Sequence, residues 1–119
     1  MRVTGILLGL LFSALSCREA PWDNEVPLEG ECQAYDGWPR VAYLREVPGT
    51  LVLVSDSLQT RTQLCIQVND TLRYAACNLP TQVQTIGKTI LFNGDELARP
   101  ADTPMVAIPM RLTRLRTMP

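Results

Sequence analysis

Cysteines at positions 17, 32, 65 and 77 are the side chains with most chemistry to offer in this 119-residue chain, and there is no histidine to work with them. Histidine is the commonest general base and metal ligand, so its absence removes Ser/His/Asp and Cys/His nucleophilic schemes within one chain. No HExxH, phosphate-cradling glycine loop or CxxC occurs. The wide spacings of Cys32, Cys65 and Cys77 do not match a zinc site, and no fourth ligand stands out, so neither a metal nor a cofactor is expected. A thiol nucleophile would have no imidazole beside it to lower its pKa. Carboxylates alone can cleave glycosides. Here they fall mostly in turns and in the stretch that holds Asp23, Glu25, Glu29 and Glu31. That stretch lacks the spacing of an EF-hand loop and reads as a solvated acidic segment. No catalytic residues are assigned, and the chain is not expected to be an enzyme.

Cys17 differs from the other three in its surroundings. Arg2 is the one charge before an apolar run from Ile6 to Leu15. About ten residues is half of what a spanning helix needs, but it suits a secretory signal. The segment LLFSALSC puts Ala14, Leu15 and Ser16 directly before the cysteine and resembles a bacterial lipoprotein signal. The resemblance implies cleavage before Cys17 and lipidation of its sulfur. Two or more acyl chains anchor a protein stably where one does not. The membrane, reached through Cys17, is therefore the first expected partner. Residues 1–16 are read as the signal peptide, 17–38 as a tether and 39–119 as one small domain.

Losing Arg2 from eleven Lys and Arg leaves ten against twelve Asp and Glu, a balance with no footprint for nucleic acid. From Arg40 onward the pattern becomes short β-type runs with turns between them: RVAYLREV, TLVLVSDS, RTQLCIQV, TLRYAAC, KTILFN and PMVAIPMRLTRL. Pro48-Gly49 is expected to separate the first two, and Asn93-Gly94 to end the fifth. LPTQVQTIG is the one helical candidate. Pro80 suits a first turn and Gly87 the left-handed position after the end. In the last run Val106, Ile108, Met110 and Leu112 alternate, then Arg114 and Arg116 take their phase. A bulge near Thr113-Arg114 would account for this. Arg111, Arg114 and Arg116 then read as solvated charges at a domain end.

In RTQLCIQVNDTLRYAAC, a two-residue turn would set Arg73 opposite Ile66 on the buried face, which is costly. A three-residue loop, Asn69-Asp70-Thr71, instead pairs Val68 with Leu72, Ile66 with Tyr74 and Leu64 with Ala76. Register follows the buried face, so the longer loop is expected, with Asn or Asp in a left-handed conformation. Cys65 and Cys77 then share the face opposite the core as diagonal neighbours. Their Cβ atoms would be roughly 7–8 Å apart or somewhat less, against about 3.8 Å in a disulfide. An oxidising envelope favours a bridge, and three cysteines remain once Cys17 is lipidated. Cys65–Cys77 is the first expectation, Cys32 with either of them the second, and three free thiols the third.

YAACNLPTQVQTIGKTILFNG resembles a pattern in small uncharacterised lipoproteins of Bacteroidetes. It does so through Tyr74, Asn78, Leu79, Pro80, Gly87, Ile90, Phe92 and Gly94. IPMRLTRL and GTLVLVSD are similar to the closing and an early strand of those chains. The resemblance implies fold and location and carries no activity. Physically, Asn78-Leu79-Pro80 makes a corner: Asn78 bonds nearby backbone, Leu79 plugs a barrel end and Pro80 stops the strand. The expected fold is all-β, a small five- to six-stranded OB-like barrel with one short helical turn. Asp56-Ser57-Leu58 and Asp70-Thr71-Leu72 also resemble the Bacteroidetes signal for O-glycosylation, which would modify Ser57 and Thr71.

Together these readings lead to a cell-envelope lipoprotein, expected at the outer membrane on its periplasmic or surface face. Its domain is expected to be a non-catalytic interaction or structural module with an envelope protein partner. The alternative is a carbohydrate- or small-ligand-binding OB-like module, which would show a concave face lined by Trp38, Tyr43 or Tyr74.

Overall fold

The computed structural model describes residues 22–118 apart from Glu29, Glu31, Ser57, Thr60, Arg61 and Pro104. Five strands make one sheet: β1 (Arg40–Ser55), β2 (Thr62–Gln67), β3 (Arg73–Ala76), β4 (Thr89–Leu97) and β5 (Ile108–Thr117). The order is β1-β2-β3-β5-β4, and β4 pairs back onto β1, so the sheet closes in a ring. All neighbours are antiparallel except β3 and β5, which run parallel. The registers put the ends of β1, β3 and β5 and the starts of β2 and β4 together, at what we term the upper end. Helical structure among the described residues amounts to two 3-10 turns, Gln33–Tyr35 and Thr81–Val83.

The strand count is lower than expected at its upper limit because Pro48-Gly49 does not separate two strands. β1 is continuous through both residues and pairs with β4 over its first part and with β2 from Thr50 to Ser55. At Pro48 the strand has a partner on one side only, where a residue without an N–H is tolerated. Gly49 sits against Ile66, and a Cβ there would stand 2.5 Å from the Ile66 Cγ2 and 3.3 Å from the Gln67 carbonyl oxygen. Glu46, at φ 50°, takes up an irregularity between Leu44 and Val47. A long first strand is thereby bent enough to serve both sides of the ring.

Asn93-Gly94 likewise does not end a strand; β4 runs on to Leu97. Asn93 faces Arg114 and Gly94 faces Leu112, leaving Thr113 as the extra residue. This is the bulge that the phase change in the last run predicts. The Ile66↔Tyr74 pairing and the Val68 N–H bond to the Leu72 carbonyl also agree with the three-residue loop. No left-handed residue is needed there. The Asn69 Oδ1 accepts the Thr71 and Leu72 amides, each at 3.0 Å, and closes the loop by its side chain. The helical candidate is only the 3-10 turn Thr81–Val83, followed by Gly87 at φ 88°.

Alternation sends Leu51, Ile66, Tyr74, Ile90, Phe92, Met110, Leu112 and Leu115 into the ring, where all are buried. Each contributes about 1.5–3 kcal/mol by leaving water. Val83 from the second 3-10 turn and Pro80 are also fully buried, while Leu79, the expected plug, is half-buried against the core. Asn78 does not bond its own neighbourhood. Its Nδ2 donates to the Leu112 carbonyl and its Oδ1 accepts the Leu112 N–H, both at 2.9 Å. A side-chain amide thus takes the place of a strand partner beside the bulge.

Of the stretch 17–38, expected as a tether, the described residues from Trp22 onward lie on the sheet as a strap. Glu25 bridges to Arg116, the Val26 N–H bonds the Leu115 carbonyl, and Val26 and Tyr35 are buried. The tight fit at the bulge gives a test. At Gly94 a Cβ would lie 2.7 Å from the Arg111 carbonyl oxygen, and main chain cannot give way as a side chain can. Gly94→Ala is expected to lower stability by about 1–3 kcal/mol in urea denaturation. An unchanged midpoint would mean that the bulge does not bring the two strands this close.

Candidate functional site

Cys17 and Ser57, the expected lipidation site and one expected glycosylation site, lie outside the described residues. Thr71, the other, is exposed at the tip of the β2–β3 loop, and its hydroxyl donates to the Asn69 Oδ1 at 3.2 Å. The three remaining cysteines are all described, and the bridge joins Cys32 to Cys77, with Cα atoms 5.1 Å apart. The second pairing expectation is thus met and the first, Cys65–Cys77, is not. The strap carries Cys32 across the outer face to Cys77, just beyond β3, so no diagonal contact has to be compressed. Cys65 is free and fully buried, although it points away from the core. The strap explains this, since Tyr35 lies beside it and donates its hydroxyl to the Ala75 carbonyl at 3.1 Å. Burial pushes the Cys65 thiol above its ordinary pKa, with Arg73 pulling weakly the other way.

The strap is held at a second point by charge. Arg114 donates from Nε and Nη2 to the two carboxylate oxygens of Glu25, at 3.1 and 3.0 Å. Its guanidinium also stacks 4.3 Å from the centre of the Trp22 ring. Glu25 is therefore not merely solvated, and Arg114 is a clamp rather than a free surface charge. Arg111 is also engaged: it and Arg40 flank Asp95, at 3.1 and 3.3 Å, and the carboxylate is largely buried between them. Nothing in the sequence pattern pairs these residues; the register that sets Asp95 opposite Arg111 does.

The aromatic side chains do not form one surface. Trp38 stacks on Tyr35 with ring centres 4.6 Å apart, and Tyr74 is inside the ring, edge-on to Phe92 at 6.3 Å. The Tyr74 hydroxyl donates to Glu96 at 3.0 Å, and burial with that carboxylate pushes its pKa up to about 12. Tyr43 alone of the three expected aromatics is exposed, and Val41 stands near it on β1.

Two open clefts mark the surface. One of about 450 Å³ at the lower end is lined by Thr71, Arg73, Leu97, Arg99, Val106 and Ile108. The other, about 630 Å³, lies beside the disulfide and is lined by Cys32, Gln33, Asp36, Asn78 and Arg111. Among the described residues no three His, Cys, Asp or Glu side chains converge as a metal site would require. Nor is any described helix long and apolar enough to cross a membrane. Comparison with known proteins finds no family model, no curated protein and no solved structure that matches the chain.

Two measurements test how the strap is held. The Arg114 guanidinium, followed by the Trp22 amide, holds the Glu25 carboxyl below its ordinary pKa of 4.5. A depressed carboxylate adds stability that is complete above its unfolded pKa and is lost as pH falls through the folded value. Glu25→Gln is therefore expected to be less stable than the parent at pH 7, with the difference vanishing as the pH drops below 4.5. A pH-independent difference would show that charge is not what Glu25 contributes. Native protein with the bridge intact is also expected to leave Cys65 unmodified by iodoacetamide at pH 8, while denaturant opens it to alkylation. Rapid native labelling would mean that the strap does not cover it.

Proposed function

We propose that this chain is a bacterial cell-envelope lipoprotein, cleaved before Cys17 and anchored by lipid on that sulfur. Its OB-like barrel serves as a non-catalytic protein-interaction module. The closed order β1-β2-β3-β5-β4, with β3 parallel to β5, supports the barrel reading and fits a five-stranded Greek-key OB topology. The Cys32–Cys77 bridge supports an oxidising compartment such as the envelope outside the inner membrane. The likeness to small Bacteroidetes lipoproteins belongs to the same reading, as do an outer-membrane location and O-glycosylation of Ser57 and Thr71.

The observation that carries the interaction reading is the filled interior. Phe92, Leu51, Ile66, Ile90, Met110, Leu112 and Leu115 occupy the ring, so its outer surface is what it has to offer. On that surface the lower part of β1 presents Val41 and Tyr43, which are 57% and 51% exposed. Apolar side chains left in water beside polar neighbours fit the centre of a protein contact. The small-ligand alternative has one feature on its side: the lower cleft sets Arg73 and Arg99 over apolar walls, which suits an anion with an apolar body. The placement of Trp38 and Tyr74 gives it no stacking surface for sugars.

The test starts from protein extracted from native membranes. Its intact mass is expected to match residues 17–119 with lipid on Cys17; an unmodified Cys17 or another cut would end the anchor reading. A photo-crosslinking residue in place of Tyr43 is expected to capture one protein in near-stoichiometric yield. Failure there, with saturable binding of an anionic amphiphile that Arg73→Gln abolishes, would favour the ligand reading instead.

A further inference from the structure

Three of the five large apolar side chains exposed on the described surface gather at the upper end: Leu58 at 79%, Ile86 at 61% and Leu53 at 53%. Leu53 is two residues from the end of β1, and Leu58 is in the loop that follows it. Ile86 is brought up to them by two main-chain bonds, from the Gly87 N–H to the Leu51 carbonyl at 2.8 Å and from the Leu51 N–H to the Lys88 carbonyl at 2.9 Å. Leu64, opposite Leu53 in the β1–β2 ladder, adds a half-buried flank. Folding alone gives no reason to leave these side chains in water.

The strap says what lies nearby. Its first residues run antiparallel to β5: the Val26 N–H meets the Leu115 carbonyl, Glu25 faces Arg116, and the Thr117 N–H meets the Asn24 carbonyl. The chain before Val26 makes a turn, with the Glu25 N–H meeting the Trp22 carbonyl at 3.3 Å and Asn24 at φ 61°, so that Trp22 sits beside Arg116 towards the upper end. Four residues lie between Cys17 and Trp22, and a step of five residues along the chain reaches at most about 18 Å. An anchor at Cys17 thus holds the upper end, and not the lower one, within a short distance of the bilayer. Trp22 belongs to the same end, with its ring against Arg114 and Arg116, a side-chain type that prefers the membrane–water boundary.

We propose that the upper end of the ring seats on the lipid surface, with Leu58, Ile86 and Leu53 entering the headgroup region and Trp22 at its level. The partner is the bilayer, and the contact is apolar. Among the described residues at this end, Lys88 and Arg116 are balanced by Asp23 and Asp56, so attraction to anionic lipid is a small part of it. The lipid anchor supplies proximity, and the apolar tip fixes orientation, turning Val41, Tyr43 and the Arg73–Arg99 cleft away from the membrane. This inference rests on the lipoprotein reading.

The test uses the full chain, processed in a bacterial host and reconstituted in vesicles of phosphatidylethanolamine and phosphatidylglycerol containing a brominated phospholipid. Leu58→Trp and Ile86→Trp place reporters at the upper end and Val41→Trp one at the lower end, each read against the parent's own tryptophans. All three positions are exposed. Bromine is expected to remove about half of the added fluorescence at 58 and 86, since seated apolar groups lie within about 5–10 Å of the headgroup boundary, and none at 41. High salt is expected to leave the pattern unchanged. Equal quenching at both ends, or none at 58 and 86 in protein whose mass shows lipid on Cys17, would overturn the seating while leaving the anchor in place. A mass without lipid would remove the anchor, and the seating with it.

Discussion

The whole arrangement depends on one strand having two partners at once. Thr50 faces Gln67 on one side and Thr89 on the other, so β1 is where the sheet closes on itself. A straight 16-residue strand could not do this. β1 bends where Gly49 lets Ile66 and Phe92 crowd against its backbone and where Glu46 accepts a left-handed conformation. Strain at Glu46 is offset locally, because its amide donates to the Asn93 Oδ1 at 2.6 Å. The bend of β1 is thus tied to the same stretch of β4 whose partner strand carries the Thr113 bulge. Closure removes open edges, and with them the usual route by which a small β-protein pairs with copies of itself.

A ring this small has little interior, and the strap extends it outward. Val26 joins the core, Tyr35 covers Cys65 and Ala75, and the strap is fastened at Cys32–Cys77 and at Glu25–Arg114. The two fastenings differ in kind. A disulfide that closes a long loop acts mainly by restricting the unfolded chain, whereas a partly exposed ion pair depends on pH and salt. Together they fix where the chain enters the domain, and that position links the fold to the proposed anchor.

Much of this was legible from alternation alone. The β2–β3 register followed from keeping Arg73 off the buried face, and the β5 bulge from the exchange of phase between Leu112 and Arg114. What could not be read shares a cause: long-range contact. Pro48-Gly49 and Asn93-Gly94 look like turns locally, and only the neighbouring strands show that their small or N–H-free residues serve close approach inside strands. The packing of the strap has no local signal either, because its buried side chains, Val26 and Tyr35, stand nine residues apart with no period between them. The cysteine pairing failed in its first form for the same reason, since Cys32 reaches Cys77 only once the strap has crossed the sheet. Asp95 gave no local signal at all, because its two arginines come from other strands.

The most direct test of the account is whether β1 closes the ring. In a nuclear Overhauser spectrum of the domain, the backbone of Thr50 is predicted to show contacts to both Gln67 and Thr89, with Ala75 in contact with Pro109 across the parallel pair. Contacts to Gln67 without those to Thr89 would describe an open sheet, and the ends on which the anchor and exposed surfaces are assigned would no longer exist.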